Sequence, residues 1–200
     1  MEQLSYWVSA AAFVIVIASW FVFASVFLLR KKPATTKDAV KAPKSWVGIA
    51  LQGLAYFPVW AVQRRPMFSP FVGGSHELNI VLQVVAAALS VSCVILTMAA
   101  IKELGKQWSL EARLVEGHDL VTTGPYDLVR HPIYTAMLGK LIATGIVLSV
   151  WPVLLAALAT FLLGTLIRIR FEEKLLSQAF GEKFADWRSR VPGLIPFLKA

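Results

Sequence analysis

The chain has 200 residues, of which 57% are hydrophobic and 16% are charged, and its mean hydropathy is +0.65. This composition excludes a large soluble domain and indicates a membrane protein. The net charge is +8, but neither a basic helix nor an aromatic-rich sheet pattern accompanies it, so we expect no nucleic-acid binding. One cysteine and three scattered histidines exclude a disulfide and give no metal-ligand spacing, so we expect no metal.

Five apolar stretches predict the fold class, an all-α polytopic membrane protein with five transmembrane helices. Helices of about 20 residues match the hydrocarbon thickness of a bilayer. We expect a single membrane domain over 1–200, with three helices in 1–101 and the polar, chemically capable sequence in 102–200. The fourth and fifth helices should form a hairpin, because only the segment 149–152 separates them. The stretches are 6–29, 46–62, 78–101, 133–150 and 152–167.

The basic residues predict the orientation of these helices. Seventeen of the 20 Lys and Arg residues lie in 30–45, 102–132 and 168–200, whereas two lie in 63–77. The positive-inside rule then places the N-terminus outside and the C-terminus in the cytoplasm. Lys140 is the exception, because it lies inside the fourth apolar stretch. Such a charge either snorkels to the interface or lines a wet cavity, and we expect snorkelling.

Two long polar segments, 102–132 and 168–200, should meet on the cytoplasmic side and form a cap. Both contain too many apolar residues for disorder. In the second segment, apolar residues recur at helical spacing from Phe171 to Arg190 and are interrupted at Gly181. This pattern is typical of a helix lying in the membrane interface.

The densest group of chemically capable residues runs from Glu116 to Tyr134. Pro132 should begin the fourth helix and present Arg130 and His131 at its N-terminus, where the helix dipole favours anions. Tyr126 and Tyr134 bracket this position with rings suited to an adenine or a cationic sulfonium. Taken singly, however, aromatic and basic residues at an interface are ordinary membrane anchors.

Arg168 and Glu172 share one face of the fifth helix at spacing i, i+4. A surface ion pair is the simple interpretation, worth a few tenths of a kcal/mol. The alternative is a binding site, in which the carboxylate reaches ribose hydroxyls or an α-amino group while Arg168 orients a substrate carboxylate. We expect the hairpin to return Arg168 and Glu172 to the side of 116–134, so that the two segments build one site.

The order of these motifs resembles the isoprenylcysteine carboxyl methyltransferase family. The resemblance covers about 104–198 and rests on a combination that is specific, although each motif alone is weak. The motifs are His118-Asp119-Leu120-Val121-Thr122-Thr123-Gly124-Pro125-Tyr126, Arg130-His131-Pro132-Ile133-Tyr134, Glu172-Glu173, Phe180-Gly181 and Val191-Pro192.

The resemblance implies a membrane methyltransferase that uses S-adenosylmethionine, with 102–200 as the catalytic half. It implies catalytic roles for Arg168 and Glu172, and acceptor binding by Arg168 and Arg130. The cofactor-binding residues that it implies are His118, Asp119, Leu120, Val121, Tyr126, His131, Pro132, Ile133, Tyr134 and Glu172.

The resemblance also implies partners, namely the bilayer and a lipophilic methyl acceptor such as a prenylated cysteine, in a bacterial inner membrane or the endoplasmic reticulum. A small thiol or a phospholipid amine is an alternative acceptor. Two further alternatives belong to other classes: a noncatalytic membrane protein that binds anionic lipid or a partner, and a multi-pass reductase that uses NADPH.

Overall fold

The computed structural model describes residues 1–29, 40–41, 45–105, 113–114 and 119–198, with the backbone alone for 40–41 and 113–114. The described part of the chain is almost entirely helical, and its two short strands pair antiparallel with Val40 opposite Leu114. The elements are α1 Glu2–Leu28, β1 Val40–Lys41, α2 Ser45–Ala61, α3 His76–Leu104, β2 Arg113–Leu114, α4 Pro125–Leu128, α5 Pro132–Leu148, α6 Trp151–Phe180 and α7 Glu182–Arg190.

Three helices of the described chain, α1, α3 and α6, are long and apolar enough to cross a membrane. They contain 27, 29 and 30 residues, which corresponds to about 40 to 45 Å of helix. Helix α5 is apolar but shorter, with 17 residues, as is α2. All five predicted stretches are therefore helical, and they correspond in chain order to α1, α2, α3, α5 and α6. The count of five membrane crossings stays a prediction.

The helices pack in two groups that both contact α5. Helices α1 and α3 pack against each other and against α5, and α2 packs along α6, with both of these helices also contacting α5. Small residues allow this close packing, because a Cβ atom on Gly145 would lie 2.5 Å from a Leu154 side-chain carbon of α6. The connection between α5 and α6 is only Ser149 and Val150. The sequence predicts a short connection here, and the antiparallel hairpin itself stays a prediction.

Lys140 is fully buried between α1, α3 and α5, so the expectation that it snorkels is wrong. Its ammonium group donates hydrogen bonds to the hydroxyls of Ser19 at 2.6 Å and Ser90 at 2.9 Å. The ammonium also lies 4.7 Å from the centre of the Trp20 ring. The two hydroxyls and the ring replace water around the charge, which gives the side chain a stable position inside the bundle.

Helix α6 continues to Phe180, beyond the point where the sequence predicts an interfacial tail from Phe171 onward. Gly181 then ends the helix with a φ of +50°, a conformation that favours glycine, and α7 begins at Glu182. The predicted break at Gly181 is thus confirmed, whereas the first part of the tail is an extension of the apolar helix. This extension carries Arg168 and Glu172 on one rigid element.

Candidate functional site

The start of α5 is built by a turn at Gly124-Pro125. Gly124 has a φ of +60°, and the hydroxyl of Thr123 beside it donates a hydrogen bond to the Glu103 carboxylate at the end of α3. His131 is the N-cap of α5, and Pro132 is the first helical residue, as the sequence predicts. The turn therefore comes directly before the 130–134 segment, which forms the N-terminal end of α5.

The Glu173 carboxylate of α6 lies beside the N-terminal end of α5. It accepts hydrogen bonds from the Arg130 Nε at 2.8 Å and pairs with the His131 Nε2 at 3.2 Å. The Arg188 Nε of α7 lies 3.3 Å from the other carboxylate oxygen. Arg130, His131 and Glu173 are all buried, so the chain's own carboxylate occupies the anion position predicted at the helix mouth.

The neighbouring Glu172 binds the other side of the histidine. Its carboxylate accepts a hydrogen bond from the Tyr134 hydroxyl and lies 3.5 Å from the His131 Nδ1. The rings of His131 and Tyr134 are stacked, with centroids 5.6 Å apart and planes 13° from parallel. The Glu172 side chain is 22% exposed, against 9% for Glu173, so Glu172 is the more exposed carboxylate of the two.

Opposing effects act on the pKa of His131. Burial lowers this pKa, but hydrogen bonds and charges from Glu172 and Glu173 outweigh burial, so the pKa lies above its ordinary value. The two carboxylates therefore favour the protonated, cationic form of the imidazole. In this form His131 is an ion-pair partner of Glu172 and Glu173.

Arg168 completes the polar cluster from one turn earlier on α6. Its Nη2 lies 3.5 Å from the Glu172 carboxylate at the predicted i, i+4 spacing. Its guanidinium carbon lies 4.8 Å from the centre of the Tyr134 ring, and its Nη1 donates a hydrogen bond to the Gln52 Oε1 of α2 at 3.1 Å. Arg168 is therefore buried, with 5% of its side chain exposed, and pairs with a carboxylate that is partly exposed.

The segment 188–193, at the end of α7 and after it, binds Arg130 and His131 through its backbone carbonyls. The backbone amides of Arg130 and His131 donate to the carbonyls of Pro192 at 2.9 Å and Gly193 at 3.0 Å. The Arg130 Nη1 also donates to the carbonyl of Arg188 at 3.1 Å and to that of Val191. These contacts give Arg130 a structural role, while its predicted acceptor binding stays untested.

Several predicted cofactor residues belong to an adjacent apolar cluster. Leu120, Val121, Tyr126 and Ile133 pack together with apolar residues from α3, α6 and α7. The Trp187 indole of α7 donates to the Tyr126 carbonyl at 3.3 Å. The pKa of Tyr126 is raised, first by burial and then by the charges of the carboxylates nearby, so its hydroxyl stays protonated. The 120–133 segment is thus packed against the ends of α3 and α6 and against α7.

The remaining predicted residues differ in position. Asp119 is exposed, and Pro132 is buried at the first turn of α5. His118 lies outside the described residues, and so does most of the connector before it, 106–112 and 115–118. The structure therefore brings together His131, Tyr134, Arg168 and Glu172 in one polar cluster, next to the apolar cluster around Tyr126.

Three residues of this region were not among the predicted site residues: Gln52, Glu103 and Glu173. Glu173 belongs to the Glu172-Glu173 motif, but sequence alone does not tell which of two adjacent carboxylates faces Arg130. The sequence does contain a pattern that could have identified Gln52. It is the one amide in the apolar stretch 46–62, and polar residues within such helices are often functional.

Comparisons with known proteins point to one family. Residues 85–178 match the model described as the isoprenylcysteine carboxyl methyltransferase (ICMT) family. The chain is 34% identical over 107 residues to protein-S-isoprenylcysteine O-methyltransferase B of Arabidopsis thaliana, over 52% of this chain and 54% of that protein. It is 36% identical over 117 residues to the nickel-cobalt-cadmium resistance protein NccN of Alcaligenes xylosoxydans xylosoxydans, over 56% of this chain and 52% of that protein. The chain thus spans about half the length of these curated relatives.

The fold is similar to a solved structure, that of the eukaryotic intramembrane Ras methyltransferase ICMT. The TM-score is 0.57 with 17% sequence identity, over 98% of this chain and 68% of the other. At this identity the likeness concerns the fold alone. Within the described residues, no group of three or more His, Cys, Asp or Glu side chains is arranged for a metal ion.

The segment that matches the family model is also the segment that builds the polar cluster. It runs from within α3 to the last turn of α6 and contains the His131, Tyr134, Arg168 and Glu172 side chains described above. Residues 85–178 of the chain are thus similar to the isoprenylcysteine carboxyl methyltransferase family.

Proposed function

We propose that this chain is an integral membrane enzyme that transfers a methyl group from S-adenosylmethionine to the carboxylate of a prenylcysteine or a similar lipophilic acceptor. The observation that carries the proposal is the meeting of the 130–134 segment with the turn from Arg168 to Glu173 of α6. The cluster lies inside the family match and beside helices that are apolar enough to cross a membrane.

The residues of the cluster fit the cofactor. When bound, S-adenosylmethionine supplies a methyl group on a positively charged sulfur, and it also carries an amino group and ribose hydroxyls. Glu172 is partly exposed and still has acceptor capacity for such groups. The Tyr134 ring already stacks on His131 and faces the Arg168 guanidinium, so Tyr134 contributes to the cofactor site through its hydroxyl, which holds the Glu172 carboxylate. We therefore assign cofactor binding to Glu172, Tyr134 and His131, with Tyr126 in the apolar wall.

Arg168 is the residue that we assign to the acceptor. A guanidinium binds a carboxylate with defined geometry, and Arg168 is fixed beside the cofactor residues by Glu172 and Gln52. Arg130 is less suited to the acceptor, because Glu173 and two backbone carbonyls already engage it.

The acid–base state of the cluster favours a carboxylate acceptor over a thiol or an amine. A carboxylate is ionised at neutral pH and needs no base, whereas a thiol or an ammonium group must lose a proton first. Both ring nitrogens of His131 face carboxylates, and its raised pKa favours the protonated form, which does not act as a base. A small thiol and a phospholipid amine remain the alternative acceptors for this site.

The position of the cluster also supports a lipophilic acceptor. Arg168 and Glu172 lie on the same continuous helix as the apolar residues of α6, so an acceptor with an apolar tail reaches the site from the bilayer. Burial keeps water away, which favours transfer between two ions of opposite charge. We propose that the site faces the cytoplasm, with the N-terminus outside, in a bacterial inner membrane or the endoplasmic reticulum.

Titration of purified protein in nanodiscs with S-adenosylmethionine tests the proposal. We expect saturable binding that weakens in Glu172→Gln and is unchanged in Asp186→Asn, which alters an exposed ion pair of α7. Radiolabel from the cofactor should then appear on a farnesylcysteine acceptor rather than on a phospholipid or a small thiol. Absence of both binding and transfer would contradict the proposal.

The same titration separates the two other classes of function. A reductase predicts saturable binding of NADPH instead of S-adenosylmethionine. A noncatalytic lipid-binding protein predicts binding of neither cofactor, together with vesicle binding that weakens as salt rises.

A further inference from the structure

Helices α2 and α6 cross so closely that their backbones touch. A Cβ atom on Gly164 would lie 2.8 Å from the Gly48 carbonyl oxygen, and one on Gly48 would lie 2.6 Å from the Gly164 carbonyl oxygen. A Cβ on Gly48 would also overlap the Arg168 side chain. Residues of α2 near this crossing therefore contact the segment of α6 that carries Arg168.

Gln52 lies one turn after Gly48 and is buried in the crossing, with 2% of its surface exposed. Its amide nitrogen donates a hydrogen bond to the Thr165 hydroxyl at 2.9 Å. Its amide oxygen accepts a hydrogen bond from the Arg168 Nη1 at 3.1 Å. Because both ends of the amide are engaged by α6, the oxygen has a fixed direction toward the guanidinium.

The partner that α2 supplies to Arg168 is polar but uncharged. A hydrogen bond from a guanidinium to a neutral oxygen fixes its orientation without neutralising its charge. A carboxylate at the same position would pair with the guanidinium and compete with an acceptor carboxylate. Glutamine at this position thus fixes the guanidinium without adding a second carboxylate to the one that Glu172 already supplies.

We propose that Gln52 is a positioning residue for the methyl acceptor, acting through Arg168. The inference rests on the proposed function, because it assigns the acceptor carboxylate to Arg168. It extends the acceptor site to α2, which lies outside the segment 85–178 that matches the family. Gln52 binds the Nη1 of the guanidinium, whereas the Glu172 carboxylate lies near its Nη2.

Steady-state kinetics of Gln52→Leu in nanodiscs, with a farnesylcysteine acceptor, test the inference. Loss of a hydrogen bond to a charged group predicts a rise of about tenfold or more in the acceptor KM. The Kd of S-adenosylmethionine should change by less than about twofold, because the residues assigned to the cofactor are untouched. An acceptor KM within about twofold of the wild type would overturn the inference.

Gln83→Leu is the matched control. Gln83 is an equally buried amide, but it lies on α3 and donates to Asn79 and to the Ile146 carbonyl, away from Arg168. We expect this variant to lower the melting temperature and to leave the acceptor KM unchanged. An equal rise in KM in both variants would show that loss of any buried amide has the same effect, and would overturn the inference.

Two further variants cover the case in which Gln52→Leu does not fold. Thr165→Val removes only the hydroxyl that fixes the amide, and should raise the acceptor KM about threefold, relative to no change in Thr97→Val on α3. Gln52→Glu keeps an acceptor oxygen but neutralises Arg168, so its acceptor KM should rise at least as much as in Gln52→Leu. Wild-type KM values in both Thr165→Val and Gln52→Glu would overturn the inference.

The outcomes distinguish this inference from the proposed function. If wild-type protein neither binds S-adenosylmethionine nor transfers its methyl group, the proposed function fails and the inference fails with it. If wild-type protein is active and the Gln52 variants behave like the Gln83 control, only the inference fails.

Discussion

The Tyr134 hydroxyl of α5 donates a hydrogen bond to the Glu172 carboxylate of α6 across 38 residues of sequence. This contact joins the two segments that together form the polar cluster. It also fixes the one carboxylate of the pair Glu172 and Glu173 that remains partly exposed.

Changes to this contact should act mainly on cofactor affinity. We expect Glu172→Gln to weaken S-adenosylmethionine binding about tenfold or more, because a charge-assisted interaction is lost. Tyr134→Phe keeps the ring and removes only the hydroxyl, so a smaller loss of about threefold is expected. Isothermal titration gives both values. Glu182→Gln, an exposed residue of α7, is the control, and an equal effect there would contradict the assignment.

A second prediction concerns the stability of the wild type at different pH values. The pKa of His131 is raised in the folded protein above its ordinary value of 6.5. The stabilisation from the protonated ring is therefore complete below about pH 6.5 and is lost as the pH rises through the folded pKa. The difference in melting temperature between wild type and His131→Gln should shrink toward alkaline pH. A difference that grows with pH would contradict the ion-pair arrangement.

The buried pair of Arg130 and Glu173 should matter for folding more than for acceptor binding. Removal of one member leaves a buried charge without its partner, which typically costs about 3 to 5 kcal/mol. We expect Glu173→Gln to lower the free energy of unfolding by an amount in this range, while the acceptor KM of the folded fraction stays near the wild-type value. A wild-type stability together with a raised KM would instead support the predicted acceptor role of Arg130.

Much of this local structure is predictable from sequence because it depends on near neighbours. The His131-Pro132 start of α5, the end of α6 at Gly181 and the spacing of Arg168 and Glu172 are all local patterns. Contacts between helices that are far apart in the sequence leave no such local pattern. Nothing near Gln52 in the sequence indicates that α2 crosses α6 at Gly164, and so its contact with Arg168 was not predicted.

Lys140 illustrates the same limit. A lysine in an apolar stretch is compatible with snorkelling, because sequence does not show that Ser19 and Ser90 converge on it from two other helices. Only the packing of α1 and α3 against α5 creates this polar position. The length of a side chain alone does not determine the direction in which it extends.

The position of Lys140 leads to a stability prediction. Ser19 and Ser90 also hydrogen-bond to each other at 2.7 Å, so they remain paired in Lys140→Met. We therefore expect Lys140→Met to change the unfolding free energy by no more than about 1 kcal/mol. The double variant Ser19→Ala with Ser90→Ala leaves the buried ammonium without hydroxyl partners and should cost about 3 kcal/mol or more. Denaturation of both variants in the same detergent provides the comparison, and the reverse order would contradict this account.

The chemical nature of the labelled product tests the central claim most directly. Protein in nanodiscs is supplied with methyl-labelled S-adenosylmethionine and a farnesylcysteine acceptor, and the product is treated with alkali. A carboxyl methyl ester releases its label as volatile methanol, which is the predicted result, and the release should fall sharply in Arg168→Gln. A label that survives alkali, as on sulfur or nitrogen, would contradict transfer to a carboxylate.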